Sequence, residues 1–204
     1  MTTVGALHDK LVVNRRMRVL VAWFAQLVPK EARILDVGSG DGAVSALLQA
    51  ERPDLLIHGL DVLPRDHSRI PVELFNGSDI PYADNSFDAV LISDVLHHTQ
   101  NPTDLLREAR RVTARHLLLK DHFRKGLAAQ LRLRFMDWVG NARFGVSLPY
   151  NYWTEAQWTS AWREVGLHPV RLEKQLGLYP KPADWVFGAG LHFIALLQKI
   201  EVKS

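Results

Sequence analysis

The sequence predicts an α/β fold in which a doubly wound, mostly parallel sheet carries helices on both faces. Apolar strands alternate with amphipathic helices as far as residue 120, which is typical of parallel strands joined by crossover helices. A glycine-rich turn, residues 38–42, follows the first strand. The last two strands, at 168–175 and 191–198, are separated by a loop too short for a crossover helix, so they should pair antiparallel.

The first element is an N-terminal helix that we expect to pack on the domain. The arginines before its apolar stretch mimic a signal peptide, but no small-residue cleavage site is evident. The apolar run is also too short to cross a membrane. We therefore expect a cytoplasmic protein without stable membrane insertion. The apolar positions follow helical spacing: Met17, Leu20, Val21, Phe24, Leu27 and Val28.

Five strands are predicted ahead of the terminal pair, with helices between them. A short helix after the glycine turn should bury Val44, Leu47 and Leu48. A later helix begins near Asn101, a candidate N-cap, with proline at the first helical position. Its apolar face is Leu105, Leu106, Ala109 and Val112. The strands are residues 33–37, 55–61, 72–76, 87–93 and 116–120.

The C-terminal part begins with a long segment, residues 123–153, that we interpret as a helical lid inserted in the domain. Its apolar residues equally suit a cap on the core, and its basic side is expected to be solvated. Thr154 and Gln157 form a capping-box pattern for the next helix, which should bury Trp158, Ala161, Trp162 and Val165. The residues that mark the lid helix are Leu127, Leu131, Phe135 and Trp138.

Length and composition indicate an ordinary globular protein. The 204 residues suit one domain, residues 1–204, and the 47% hydrophobic and 23% charged fractions exclude a disordered chain. The chain has no cysteine, which excludes disulfides and thiolate metal sites. The net charge is only +3 and the basic residues are dispersed, so we expect no nucleic-acid partner.

The glycine turn predicts a nucleotide-like ligand, and the acid two residues before its first glycine indicates which kind. Gly38 and Gly40 permit a sharp turn and close approach of the backbone to a ligand. The spacing also fits the dinucleotide fingerprint. However, Asp36 ends the first strand and would repel a pyrophosphate, whereas it would attract an ammonium or a sulfonium. The pattern therefore favours S-adenosylmethionine over NAD.

Two further acids follow later strands. Asp61 ends the second strand, where a carboxylate accepts hydrogen bonds from both ribose hydroxyls. Asp79 comes after the third strand and is placed to accept from an adenine amino group, with Ile80 covering the ring.

Taken in order, residues 34–42, 59–62 and 80–90 resemble the class I S-adenosylmethionine-dependent methyltransferases. The similarity is greatest to their small-molecule branch, which resembles the ubiquinone-biosynthesis enzymes, and it covers residues 31–120 well. It implies a seven-stranded, Rossmann-like sheet, which the terminal antiparallel pair also matches.

The resemblance assigns the cofactor contacts residue by residue. The glycine turn with Asp36 would hold the methionine end, Asp61 the ribose, and Ser93 would offer its carbonyl to the ammonium. Arg15 or Arg16 of the N-terminal helix would meet the cofactor carboxylate. The expected cofactor-binding residues are Asp36, Gly38, Ser39, Gly40, Asp61, Val62, Asp79, Ile80 and Ser93.

The acceptor side is predicted among the loops after the fourth and fifth strands. His98 and His122, together with Asp121, are the candidate catalytic residues, because a histidine can deprotonate a hydroxyl as it attacks a methyl carbon. Catalysis by proximity alone, without a base, is the alternative. Asp94, His97 and His98 have a spacing that suits a metal, but histidine replaces the carboxylates that magnesium prefers, so we expect no metal site.

These patterns predict transfer of a methyl group to an oxygen, rather than to nitrogen or carbon, of a small aromatic or polyketide-like molecule. Two other classes stay open: an NAD-dependent oxidoreductase, and a regulatory protein that binds the cofactor without chemistry. The sequence does not specify the oligomeric state.

Overall fold

The fold is built on one seven-stranded sheet, seen in a computed structural model that describes residues 14–126, 128–141, 149–188 and 190–200. The strand order is β3-β2-β1-β4-β5-β7-β6. The strands are β1 (Arg33–Val37), β2 (Leu56–Asp61), β3 (Val72–Leu74), β4 (Phe87–Ser93), β5 (Thr113–His122), β6 (Leu167–Glu173) and β7 (His192–Lys199).

The pairing confirms the predicted topology. Strands β1 to β5 pair in parallel, whereas β7 lies antiparallel to both β5 and β6. The chain order reverses between β1 and β4, so a crevice opens beyond the carboxyl ends of these two strands. Ligands of open α/β sheets bind at such a crevice.

Helices cover both faces of the sheet and create two core layers. Helices α1 and α2 pack on one face, where Phe24 and Leu48 contact strand residues such as Ile34. Helices α3 and α5 pack on the other, where Leu105 and Trp158 join the apolar side chains of β4 and β5. The helices are α1 (Asn14–Leu27), α2 (Ala43–Glu51), α3 (Pro102–Val112), α4 (Ala129–Asn141) and α5 (Glu155–Glu164).

Helix starts follow the predicted signals in part. Thr154 accepts from the amide of Gln157 and Gln157 returns the bond, so the capping box of α5 is confirmed. Helix α3 begins at Pro102 as predicted, but the Asn101 side chain makes no capping hydrogen bond. The four predicted apolar residues of α3 are all buried.

Other predictions need correction. Strand β3 ends at Leu74, and β5 extends to His122, so Asp121 and His122 belong to a strand rather than to a loop. Leu47 was expected to be buried, but α2 turns it outward and it is 43% exposed. The buried face of α2 is narrower than predicted, because Leu48 alone of the two leucines points to the sheet.

The lid helix forms, but with the opposite face buried. Helix α4 buries Ala129, Leu133 and Asp137. The side chains that marked it in the sequence are exposed, namely Leu131, Phe135 and Trp138. Leu127, the first of the predicted series, lies outside the described residues.

Within the described ranges, none of the helices combines the length and the apolar character needed to cross a membrane.

Candidate active site

Two adjoining cavities open at the carboxyl ends of the parallel strands. The inner cavity, about 600 Å³, lies between α1, α4 and a short 3₁₀ turn, Leu96–His98. The outer cavity, about 700 Å³, lies beyond the end of β2. Gly38, Asp94 and His98 line both cavities, so these three residues form a shared wall.

The glycine turn is fixed to β2 and to the loop after β4. The amides of Gly38 and Ser39 both donate to the carbonyl of Leu60, at 2.7 and 3.1 Å. Gly38 has φ +77°, and a Cβ placed there would lie 2.3 Å from a methyl of Val95. Only glycine therefore fits at this position, which brings the backbone directly to the shared wall.

Asp36 is a buried carboxylate that faces the inner cavity. It accepts a hydrogen bond from the Ser45 hydroxyl at 2.6 Å and is 5% exposed. Burial raises its pKa to about 6; the Ser45 hydrogen bond opposes the shift and the charge of Asp61 adds to it. A buried carboxylate of this kind gains from a cationic ligand, because the cation stabilises its ionised form.

Asp61 ends β2 with both carboxylate oxygens oriented by backbone amides. Gly40 donates to one oxygen at 2.7 Å and Leu63 to the other at 2.9 Å. Each oxygen keeps lone pairs for further donors. Asp61 and Val62 line the outer cavity, which fits the expected ribose contact.

Asp79 and Ile80, the expected adenine contacts, directly follow Ser78, which lines the outer cavity. Neither of their own side chains lines either cavity in the described structure. Asp79 is exposed, and its carboxylate accepts from Asn76 and Ser78. Ile80 is 2% exposed and packs in the core. Leu105 and Thr99, which were not predicted as site residues, also line the outer cavity.

The loop after β4 carries an ion-pair network at the shared wall. Ser93 ends the strand and lines the inner cavity, as expected. Asp94 pairs with Arg16 of α1 and with Lys120 of β5. Burial would raise the pKa of Asp94, but the two cations hold it well below its usual range. Arg16 thus reaches the site, whereas Arg15 is exposed.

The end of β5 directs a histidine into the inner cavity. His122 is 4% exposed, and its Nδ1 lies 3.2 Å from an oxygen of Asp121. Burial and then the charge of Lys120 lower the pKa of His122 well below its usual value. Trp158 of α5 donates to the His122 carbonyl at 2.9 Å and fixes this strand end. An uncharged imidazole beside a carboxylate is suited to accept a proton.

A second histidine connects β5 to the lid helix. His97 Nδ1 lies 2.7 Å from Asp121, and its Nε2 lies 3.4 Å from Asp137 of α4. Asp137 also accepts from the Tyr152 hydroxyl. Burial opposes ionisation of His97, yet the two carboxylates raise its pKa above the usual range. His98, by contrast, is half-buried and its pKa is lowered, mainly by burial.

Three members of this network were not predicted from the sequence: Lys120, Asp137 and Tyr152. Lys120 stands inside an apolar strand and is fully buried. A lysine is rarely buried unless it is paired, so its place within an apolar strand was an available signal. Asp137 lies on the buried face of α4, but the opposite face was predicted to be buried, so Asp137 was overlooked. Tyr152 gave no local signal.

A family model described as a methyltransferase domain matches residues 12–172. The chain belongs to this methyltransferase family. Together with the seven-stranded sheet and its antiparallel terminal pair, the match confirms the predicted class I S-adenosylmethionine-dependent methyltransferase. S-adenosylmethionine is the cofactor of the class, and the Asp36 and Asp61 cavities fit it.

Two curated relatives of this chain carry names that specify methylation of a small molecule. This chain is 38% identical to a demethylmenaquinone methyltransferase of Renibacterium salmoninarum, over 49% of this chain and 44% of that protein. It is 28% identical to the 27-O-demethylrifamycin SV methyltransferase of Amycolatopsis mediterranei, over 43% of this chain and 38% of that one. The matches thus span less than half the length of these relatives.

A solved structure supports the fold of this methyltransferase. A 1,6-didemethyltoxoflavin-N1-methyltransferase of Burkholderia thailandensis, with bound substrate and S-adenosylhomocysteine, has a TM-score of 0.66 at 17% identity. The similarity covers 91% of this chain and 79% of that chain.

Proposed function

We propose that this chain transfers the methyl group of S-adenosylmethionine to a hydroxyl oxygen of a small aromatic or polyketide-like molecule. The observation that carries the proposal is the shared wall of Gly38, Asp94 and His98, where the outer cavity, which holds Asp61, meets the inner cavity, which holds both Asp36 and His122. When bound, the cofactor supplies a methyl group on a positively charged sulfur.

The cofactor side rests on charge and hydrogen-bond complementarity. Asp36 offers its charge to the ammonium and sulfonium groups, and Asp61 accepts from the ribose hydroxyls. The glycine turn lets the cofactor contact backbone rather than side chains, because Gly40 lines the outer cavity and has open space around its Cα.

The acceptor side rests on the composition of the inner cavity. Its volume of about 600 Å³ is in the range of small-molecule sites. A mostly apolar wall with a few convergent polar groups suits a flat ring that carries hydroxyls. The apolar and aromatic side chains that line the inner cavity include Met17, Leu20, Phe135, Met136, Tyr179 and Phe187.

His122 acts as the base that receives the acceptor's proton. Asp121 accepts from Nδ1 and so keeps the ring in the orientation and tautomer in which Nε2 receives the proton. His122 would take the hydroxyl proton when the bound cofactor supplies its methyl group to the oxygen and leaves as S-adenosylhomocysteine. The rifamycin relative, whose name specifies an O-methyl position, supports oxygen as the acceptor atom.

The test is methyl transfer from isotopically labelled S-adenosylmethionine. The full-length protein is incubated with host metabolite extracts and with a panel of phenols, dihydroxynaphthoates and polyketides. Mass spectrometry should find labelled products, and NMR should place the label on oxygen. Label on nitrogen or carbon would contradict the oxygen assignment. No labelled product and no release of S-adenosylhomocysteine would contradict the activity.

A further inference from the structure

Three potential metal ligands converge on one corner of the inner cavity. His97 and His98 lie on the 3₁₀ turn, with ring centroids 4.0 Å apart, and Asp137 faces them from α4. Their ligand atoms all lie within 4.8 Å of one another. All three residues line the cavity, and His97 and Asp137 are buried.

Each of the two histidines has a buried ring nitrogen without a hydrogen-bond partner. Within the described residues, neither His97 Nε2 nor His98 Nδ1 has a hydrogen-bond partner. Leaving such atoms unsatisfied in the interior destabilises the fold. A hydrogen bond from a protonated His97 to Asp137 would satisfy only one of the two nitrogens. The distance from His97 Nε2 to the Asp137 carboxylate is 3.4 Å, which exceeds the roughly 2.7–2.9 Å of a charge-assisted hydrogen bond. A cation between the three groups would satisfy both.

The hydrogen-bond partners of His97 and Asp137 match those that usually support ligand side chains in metal sites. His97 presents its other nitrogen, Nδ1, to Asp121 at 2.7 Å. Asp137 accepts a hydrogen bond from Tyr152. Ligating histidines almost always donate their second N–H to a carboxylate or carbonyl, and ligating carboxylates are themselves hydrogen-bonded. The supporting contacts are therefore already in place.

A neighbouring group, Asp94 with His97 and His122, also brings ligand atoms together. It is a poorer site, because Asp94 is paired with Arg16 and Lys120. A divalent cation there would have to displace two cations or sit beside them. Asp137 pairs with neither of these cations, so it is the carboxylate free to coordinate.

We propose that His97, His98 and Asp137 bind a divalent transition-metal ion of the zinc type. Imidazole ligands suit zinc and its neighbours, whereas magnesium requires oxygen ligands. Three protein ligands leave a fourth position open toward the cavity, which is the arrangement of catalytic sites. A hydroxyl bound there would lose its proton more readily. Binding of the metal does not depend on the proposed methyl transfer.

The test is titration of the metal-free, full-length protein with cobalt(II), without cofactor. Calorimetry and the visible d–d absorption should report one bound ion per chain. His98→Ala and Asp137→Asn should abolish that absorption, and Asp121→Asn should weaken binding by about 10–100-fold. Zinc should displace the cobalt.

His116→Ala is the matched control. His116 also has a buried, unpartnered Nδ1, but it lies at the other end of β5 and lines neither cavity. It should keep the wild-type affinity. Circular dichroism checks folding, and if Asp137→Asn is unfolded, His98→Ala decides alone. Absence of stoichiometric binding, or wild-type affinity in His98→Ala, would overturn the site. Metal binding without methyl transfer would leave it standing and contradict only the proposed function.

Discussion

At the scale of single residues, the most informative side chain is Asp36. It is buried, and among the described residues its carboxylate accepts a hydrogen bond from Ser45 alone, so its charge is poorly stabilised in the free protein. Its pKa of about 6 means that near pH 6 half of the free molecules carry a neutral carboxyl. A bound cation shifts this balance to the ionised form, so cofactor binding and proton release are linked.

Cofactor affinity should therefore fall as the pH drops through about 6. The carboxylate is ionised above that pH and attracts the cofactor, and it is neutral below, so affinity is full above and lost below. At about pH 5 the dissociation constant for S-adenosylmethionine should be roughly tenfold higher than at about pH 8. Isothermal titration calorimetry measures both.

Two controls isolate Asp36 in that experiment. Asp36→Asn should bind weakly with little dependence on pH over this range, because asparagine does not titrate. S-adenosylhomocysteine lacks the sulfonium charge and should show a smaller dependence. An equally steep pH dependence in Asp36→Asn would assign the effect to other groups.

The proton acceptor gives a second residue-scale prediction. His122→Ala should lower turnover by roughly 10²-fold or more, because the base is lost while Asp36 and Asp61 remain. Cofactor affinity should change little. Single-turnover kinetics with the identified acceptor, together with calorimetry, separate the two effects. Near-wild-type turnover in His122→Ala would mean that an already ionised acceptor reacts by alignment alone.

At the scale of elements, the glycine turn packs closely against the loop after β4, where Gly38 meets the side chain of Val95. Gly38→Ala would place its Cβ 2.3 Å from Val95 and would force a left-handed backbone. The turn should shift, and both stability and cofactor affinity should fall. The left-handed conformation alone costs about 1–2 kcal/mol.

The double variant Gly38→Ala/Val95→Ala separates the clash from the backbone strain. Removing the valine methyls should recover part of the lost stability, measured by urea unfolding. Gly40→Ala is the comparison, since its φ is +60° and a Cβ there meets nothing within 4 Å. It should lose only about the backbone cost. Equal stability of Gly38→Ala and Gly40→Ala would contradict the fitted contact.

At the scale of the whole molecule, local patterns predicted the sheet well. Alternation of strands and helices, together with the short terminal loop, determines the strand directions because a parallel pair needs a crossover connection. Asp36 and Asp61, the acids proposed to contact the cofactor, could also be picked out from the sequence, since Asp61 is the last residue of β2 and Asp36 the last but one of β1.

The polar network was not predictable in the same way. Arg16 and Asp94 are 78 positions apart, and His122 and Trp158 are 36 apart, so no local periodicity links them. The exposed apolar side of α4 misled the assignment of its buried face, which hid Asp137.

Calorimetric titration of the full-length protein with S-adenosylhomocysteine and, separately, with NAD determines whether the crevice is built for S-adenosylmethionine. Binding of S-adenosylhomocysteine should saturate at one site per chain, and NAD should give no heat of binding, because Asp36 repels a pyrophosphate. Saturable binding of NAD without any response to S-adenosylhomocysteine would contradict it.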